Sequence, residues 1–145
     1  MTELPRVELQ AELGVPRETV WPLLATAEGL ARWLDGAELD PRVGGAVRLR
    51  LLEAIVAGTI VALDPEQHVS FSWDYPDDPL GYPTVVAFDA IEHGPRTHLT
   101  VRHVGFRSPR QRLLHDALWR VWFARLRETA EAAESVHAGA EGRRA

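Results

Sequence analysis

The sequence predicts an α+β domain: a curved antiparallel six-stranded sheet wrapped around a long C-terminal helix, with two short helices beside it. Three observations predict this. The stretch Ser108 to Glu134 has no Gly or Pro after Pro109 and repeats its apolar residues at helical spacing. Five segments between Ala46 and Val104 alternate, or run apolar, between Gly-, Pro- and Asp-containing turns. The chain has 145 residues and no Cys, so one hydrophobic core without disulfides must hold it together.

The elements follow in the order β-α-α-β-β-β-β-β-α. Val7 to Leu13 alternates apolar with Glu8, Gln10 and Glu12, the pattern of a half-buried strand. Pro16 to Leu24 reads as a short helix with Glu18 in its first turn, and Pro22 is expected to kink or end it. Thr26 suits the N-cap of a second helix, Ala27 to Leu34, whose apolar stripe is Leu30, Trp33 and Leu34. Asp35-Gly36 ends it, and Gly44-Gly45 turns the chain into Ala46 to Leu52, with Val47, Leu49 and Leu51 opposite Arg48 and Arg50. Ile55 to Leu63 is more uniformly apolar; Gly58 within it marks a bulge or a close backbone approach. Glu53-Ala54 offers no good turn residue. After the Asp64-Pro65-Glu66 turn, His68 to Tyr75 alternates cleanly. Pro76 to Pro83 is a Pro-rich acidic loop, followed by strands at Thr84 to Glu92 and Thr97 to Val104 around Gly94-Pro95. Residues 1–134 form the expected domain and 135–145 an expected disordered tail.

The terminal helix carries the functional question. At about 100° per residue, Leu114, Leu118, Trp119, Val121, Trp122 and Leu126 share one broad arc. His115 and Arg125 fall on the same arc, where a solid core accepts a guanidinium only with a partner.

Composition excludes several functions. The net charge of −5 argues against nucleic-acid binding. With no Lys and no Cys, Schiff-base and thiolate chemistry are absent. No apolar run reaches membrane-spanning length, and the N-terminus lacks a signal-peptide core, so no membrane insertion and a cytoplasmic location are expected. His93, His98 and His103 recur every five residues, an odd spacing that sends His98 and His103 to opposite faces of a strand, so no metal site is expected. No hydrolase, metalloprotease or phosphate-loop motif is present.

The motifs VWPLLATAEGLARWL (Val20 to Leu34), VGGAVRLR (Val43 to Arg50), GTIVALDPEQHVSFSW (Gly58 to Trp73) and RTHLTVRHVGF (Arg96 to Phe106), followed by the Trp-containing helix, resemble the START-like (SRPBCC) superfamily. The resemblance spans roughly Val7 to Ala133 and is nearest to the branch of the C-terminal domain of the activator of the heat-shock-protein-90 ATPase. It implies the helix-grip fold of the birch-pollen-allergen type, with a hydrophobic cavity between sheet and C-terminal helix. It does not fix one activity, since the superfamily includes carriers, cyclases, hydroxylase subunits and co-chaperone domains.

The candidate cavity residues are Trp33, Trp73, Phe88, Leu118, Trp119 and Trp122 as wall, with His103, His115 and Arg125 as polar groups. Each aromatic taken singly is equally well read as core packing. Arg125 is read as reaching the cavity or its rim, where it would suit the head group of an acidic amphiphile; the competing reading is a salt bridge to a protein acid or snorkelling to the rim. The leading expectation is a small-molecule binding protein holding a hydrophobic or amphipathic ligand, lipid- or polyketide-like, without a cofactor. A protein-interaction module and a cyclase or hydrolase working in the same cavity are the alternatives, and exposed sheet edges make a homodimer reasonable.

Overall fold

A computed structural model of the chain describes residues 6–144, with side chains described through residue 132. Seven strands form one antiparallel sheet: β1 (Arg6–Leu13), β2 (Gly36–Leu39), β3 (Ala46–Leu51), β4 (Ala54–Asp64), β5 (His68–Ser72), β6 (Val85–His93) and β7 (Arg96–Val104). Their order across the sheet is β1-β7-β6-β5-β4-β3-β2, so all neighbours after β1 are consecutive and only β1 crosses over, to pair with β7. Two short helices, α1 (Arg17–Ala25) and α2 (Ala27–Leu30), follow β1, and α3 (Pro109–Arg144) closes the chain. This is the α+β architecture expected from the alternation, with one strand more than the six anticipated.

The added strand is β2. In its sequence GAEL, Gly36 is expected to end the second helix and Ala37 to Leu39 carry no expected element, because four residues show no usable alternation. Its existence rests on backbone pairing with β3, Gly36 opposite Arg50 and Leu39 opposite Val47. The second helix is correspondingly shorter than expected, ending at Leu30 rather than Leu34.

In β1, β3, β6 and β7, alternate apolar residues turn inward. Val7, Val47, Leu49, Phe88, Leu99 and Val101 point into the core, while Glu8, Arg48, Arg50 and Arg102 face outward. In β4 the phase changes once. A bulge between Ile60 and Ala62 pushes Val61 into solvent and lets Ile60 and Leu63, three residues apart, share the inner face. The bulge is therefore two residues beyond Gly58. Gly58 itself marks a close approach: a Cβ there would lie 1.8 Å from the Ser72 carbonyl oxygen.

Pro22 does not end α1; it sits inside the helix. The carbonyl of Pro22 accepts the Thr26 hydroxyl at 2.7 Å, and Thr26 Oγ1 in turn accepts the Gly29 amide at 2.9 Å, capping α2 as expected. Gly29 packs so tightly on this corner that a Cβ would meet the Pro22 carbonyl oxygen at 1.8 Å. The Trp33 indole then donates to the Leu23 carbonyl at 2.8 Å, pinning the two helices over the end of the sheet.

The helix α3 buries His115, Trp119, Trp122, Phe123, Leu126 and Ala130. Leu114 and Val121, expected on the buried arc, are 50% and 53% exposed. Arg125 is also exposed, which corrects its expected inward placement. It lies roughly 110° round from the middle of the buried face, so its guanidinium is solvated and needs no buried anion. The helical backbone continues past Glu134 to Arg144; side chains from 133 onward, and with them the expected disorder of the tail, lie outside the described residues.

Candidate functional site

The centre of the molecule is filled with aromatic rings. Trp33 meets Phe88 at 6.1 Å between centroids, Phe88 meets Trp119 at 5.8 Å, and Trp119 meets Trp73 at 5.5 Å and Trp122 at 5.1 Å. Offset and edge contacts at these distances are those of a packed core. Of the expected cavity wall, Trp33, Trp73, Phe88 and Trp119 are packed in this cluster, together with buried His103.

The open space lies to one side of it. A surface cleft of about 400 Å³ is bounded by the β3–β4 hairpin (Glu53, Ala54, Ile55), the loop after β5 (Tyr75, Asp77, Asp78, Leu80) and the first turns of α3 (Gln111, Leu114, His115, Leu118). A smaller hollow of about 120 Å³, lined by Leu51, Leu52 and Trp122, shares Ala54, Tyr75 and Leu118 with it. From the expected site residues, the structure therefore brings His115 and Leu118 to the cleft and Leu118 and Trp122 to the hollow beside it. Arg125 lines neither space.

The loop that forms one wall is held by its own acid. Asp74 Oδ1 accepts the amides of Tyr75 and Leu80, both at 2.8 Å, which closes the Pro-rich segment into a fixed turn. The hairpin wall has a different character. Leu51 pairs with Ala54, leaving Leu52 and Glu53 as a two-residue turn. Leu52 takes φ 52° there and is 75% exposed. A branched residue in the left-handed region is strained; the Asp35 carboxylate accepts the Leu52 amide and holds the turn from outside.

One hydrogen-bond chain stays within the core and a second runs from it to this cleft. In the inner one, the Trp119 indole donates to His103 Nδ1 at 3.0 Å, His103 Nε2 lies 2.9 Å from Thr84 Oγ1, and Thr84 Oγ1 donates to the Trp73 carbonyl at 2.7 Å. An indole N–H only donates and a carbonyl only accepts. The direction is thus fixed: His103 is neutral, bare at Nδ1 and protonated at Nε2. Burial, and then the neighbouring His115, hold its pKa well below the ordinary histidine value.

The outer chain runs from the Trp73 indole to Tyr75 Oη at 3.1 Å, from Tyr75 Oη to His115 Nε2 at 2.7 Å, and from His115 Nδ1 to the Gln111 carbonyl at 2.7 Å. The carbonyl requires a proton on Nδ1, so neutral His115 accepts the Tyr75 hydroxyl proton at Nε2. Burial lowers the His115 pKa, against a smaller upward pull from the Gln111 carbonyl. Burial also raises the Tyr75 pKa, so its phenol stays protonated.

The two histidines differ in what a proton does to them. A second proton on His103 faces the Trp119 N–H and breaks the inner chain. On His115 it faces Tyr75 Oη, which has a lone pair to receive it. Tyr75 is the residue that the sequence reading missed. Its partner is 40 residues away in the chain, and neither belongs to a motif.

No group of three metal-ligating side chains is assembled among the described residues. His93 and His98 instead share Glu12 on the outer face, at 3.0 and 2.6 Å, and lower its pKa. No helix among the described residues is long and apolar enough to cross a membrane.

Comparison with known proteins gives a family. The model of the family described as activator of Hsp90 ATPase homolog 1-like protein matches residues 14–131. A comparison with curated protein sequences gives no match. Among solved structures, protein MLL2253 from Mesorhizobium loti superposes with TM-score 0.79 at 22% identity, covering 88% of this chain and 97% of that one. CalU16 from Micromonospora echinospora superposes with TM-score 0.73 at 20% identity, covering 95% and 83%. The Aha1 dimer from Colwellia psychrerythraea superposes with TM-score 0.69 at 17% identity, covering 87% and 96%. At these identities the likeness is one of fold.

Proposed function

This chain belongs to the activator of Hsp90 ATPase homolog 1-like family, and we propose that it is a small-molecule binding domain whose ligand occupies the cleft between α3, the β3–β4 hairpin and the Tyr75 loop. The observation that carries this reading is the pairing of apolar walls with one oriented polar floor. Ile55, Leu80, Leu114 and Leu118 line the opening, and the Tyr75–His115 pair closes it. Apolar surroundings with few convergent polar groups are what a small ligand requires. The ligand lies beside the aromatic core rather than inside it, and its apolar part reaches Trp122 through the smaller hollow.

Titration with 2-naphthalenemethanol, followed by tryptophan emission, tests this. Saturable binding to the folded protein is expected, and Leu118→Trp, which fills the opening, abolishes it while leaving a cooperative thermal transition. Absence of binding, or equal binding to the variant, overturns the proposal.

A second reading, a protein-interaction module, is favoured by the exposure of Leu52, Leu113, Leu114 and Val121 and by the family's name. A homodimer through this surface is one form of it, and the Colwellia structure is that of a dimer. Sedimentation of the wild type against Leu114→Ser/Val121→Ser measures it: a dimer that the double variant dissociates supports the interaction reading.

A further inference from the structure

We infer that the cleft selects a ligand carrying a cationic amine, and that Glu53, Asp77 and Asp78 supply the selectivity. The inference rests on the binding reading above and names the chemistry of the head group. All three carboxylates line the cleft, all three are exposed, and among the described residues none has a cationic side chain within 4.0 Å. No arginine lines either the cleft or the hollow beside it, and the chain contains no lysine.

The floor points the same way. Tyr75 Oη receives the Trp73 indole proton and gives its own to His115, so what it still offers is a lone pair. His115 has both ring nitrogens engaged. Apart from the Gln111 amide, the polar side chains of the wide part of the cleft present acceptors and negative charge. A carboxylate or phosphate head group would meet three like charges and no positive partner. An ammonium group on an apolar body finds carboxylates at the mouth, an oxygen lone pair and the Tyr75 ring at the floor, and leucine and isoleucine walls for the rest.

Three probes of one size test this: 2-naphthylmethylammonium, 2-naphthalenemethanol and 2-naphthoate, titrated at pH 7 and low salt. Each exposed ion pair contributes roughly 1.5- to fivefold, so the ammonium should bind about tenfold more tightly than the alcohol, and the naphthoate more weakly than both. In Glu53→Gln/Asp77→Asn/Asp78→Asn the three affinities should converge on that of the alcohol. Salt should erase the ammonium's advantage in the wild type and change nothing in the variant. Equal affinities for the three probes in the wild type overturn the amine inference but leave the binding site standing. A preference that survives the triple substitution overturns the role of these carboxylates. Failure of the neutral alcohol to bind at all removes the underlying binding reading, which separates the two failures.

Discussion

The Trp119 indole and His103 Nδ1 are 3.0 Å apart in the centre of the core, and the bond between them exists only while His103 is neutral. His103 is fully buried beside Trp73, Phe106 and His115. In the unfolded chain the same imidazole takes a proton near pH 6.5. The unfolded state therefore binds more protons as the pH falls through that value, and stability follows it down.

The first prediction follows from this sign. Stability should be fully present above about pH 6.5 and fall below it, with a slope approaching about 1.4 kcal/mol per pH unit for His103. His115, lowered in the same direction, adds to the loss. Urea midpoints between pH 7.5 and 5 measure it. His103→Gln keeps one acceptor for Trp119 and one donor for Thr84 but cannot titrate, so its profile should be flatter. An identical slope in wild type and variant would assign the pH dependence elsewhere.

Removing the Tyr75 hydroxyl strands two buried groups at once. Tyr75→Phe leaves the Trp73 indole and His115 Nε2 without their partner. A cost of about 1–3 kcal/mol is expected, toward the low end if water from the cleft replaces the oxygen. Chemical denaturation gives the loss. The titration of His115 by NMR gives a second readout, since a lost Nε2 partner changes its pKa whereas a simple packing defect does not.

The helical corner should tolerate no side chain at Gly29. In Gly29→Ala the new carbon would sit 1.8 Å from the Pro22 carbonyl oxygen, a backbone atom that cannot turn away. Overpacking of this kind costs about 1–3 kcal/mol, here at the upper end because Thr26 ties both helices to the same carbonyl. Gly14→Ala, which meets nothing within 4 Å, is the control and should change stability by less than about 0.5 kcal/mol.

At Leu52, stability and binding should move in opposite directions. Its φ of 52° suits Asn or Gly better than Leu. Leu52→Asn is expected to stabilise the fold by about 0.5–1 kcal/mol while weakening 2-naphthalenemethanol, because it removes an apolar wall of the smaller hollow. A variant that is stabilised and binds equally well would show that the leucine has no part in holding a ligand.

The strands were legible because β3 and β6 bury one face and leave the other open to solvent in whole or part, which writes a period of two into the sequence. The four-residue β2 was not legible: its pairing is set by the backbone of β3 and leaves no side-chain signature. The arc of α3 was drawn too wide. Leu114 edges the cleft and Val121 is exposed, and both shift the apparent centre of burial and carry Arg125 with it. Trp119, Trp122 and His115 were recognised as inward, yet nothing in a linear reading separates a ring that lines space from one that meets another ring. Tyr75 and the acids after it were seen only as the end of a strand and a loop. Their relation to His115 comes from the fixed turn around Asp74, a contact between segments that no local pattern encodes.

The pairing of the first strand with the last has a consequence for how the chain acquires its structure. Leu13 lies opposite Thr97 and Arg6 opposite Val104, so β1 has no strand to join until β7 has been made. During synthesis it leaves the ribosome as an unpaired amphipathic segment and waits while the β2-to-β7 meander assembles from neighbours in sequence. Contacts of such separation are paid for in loop-closure entropy before they return anything, which slows folding. Docking of α3 comes later still, and it packs against β1. The two ends of the chain thus lock one another in place, and the interval before they meet is when the nascent protein is most exposed to aggregation.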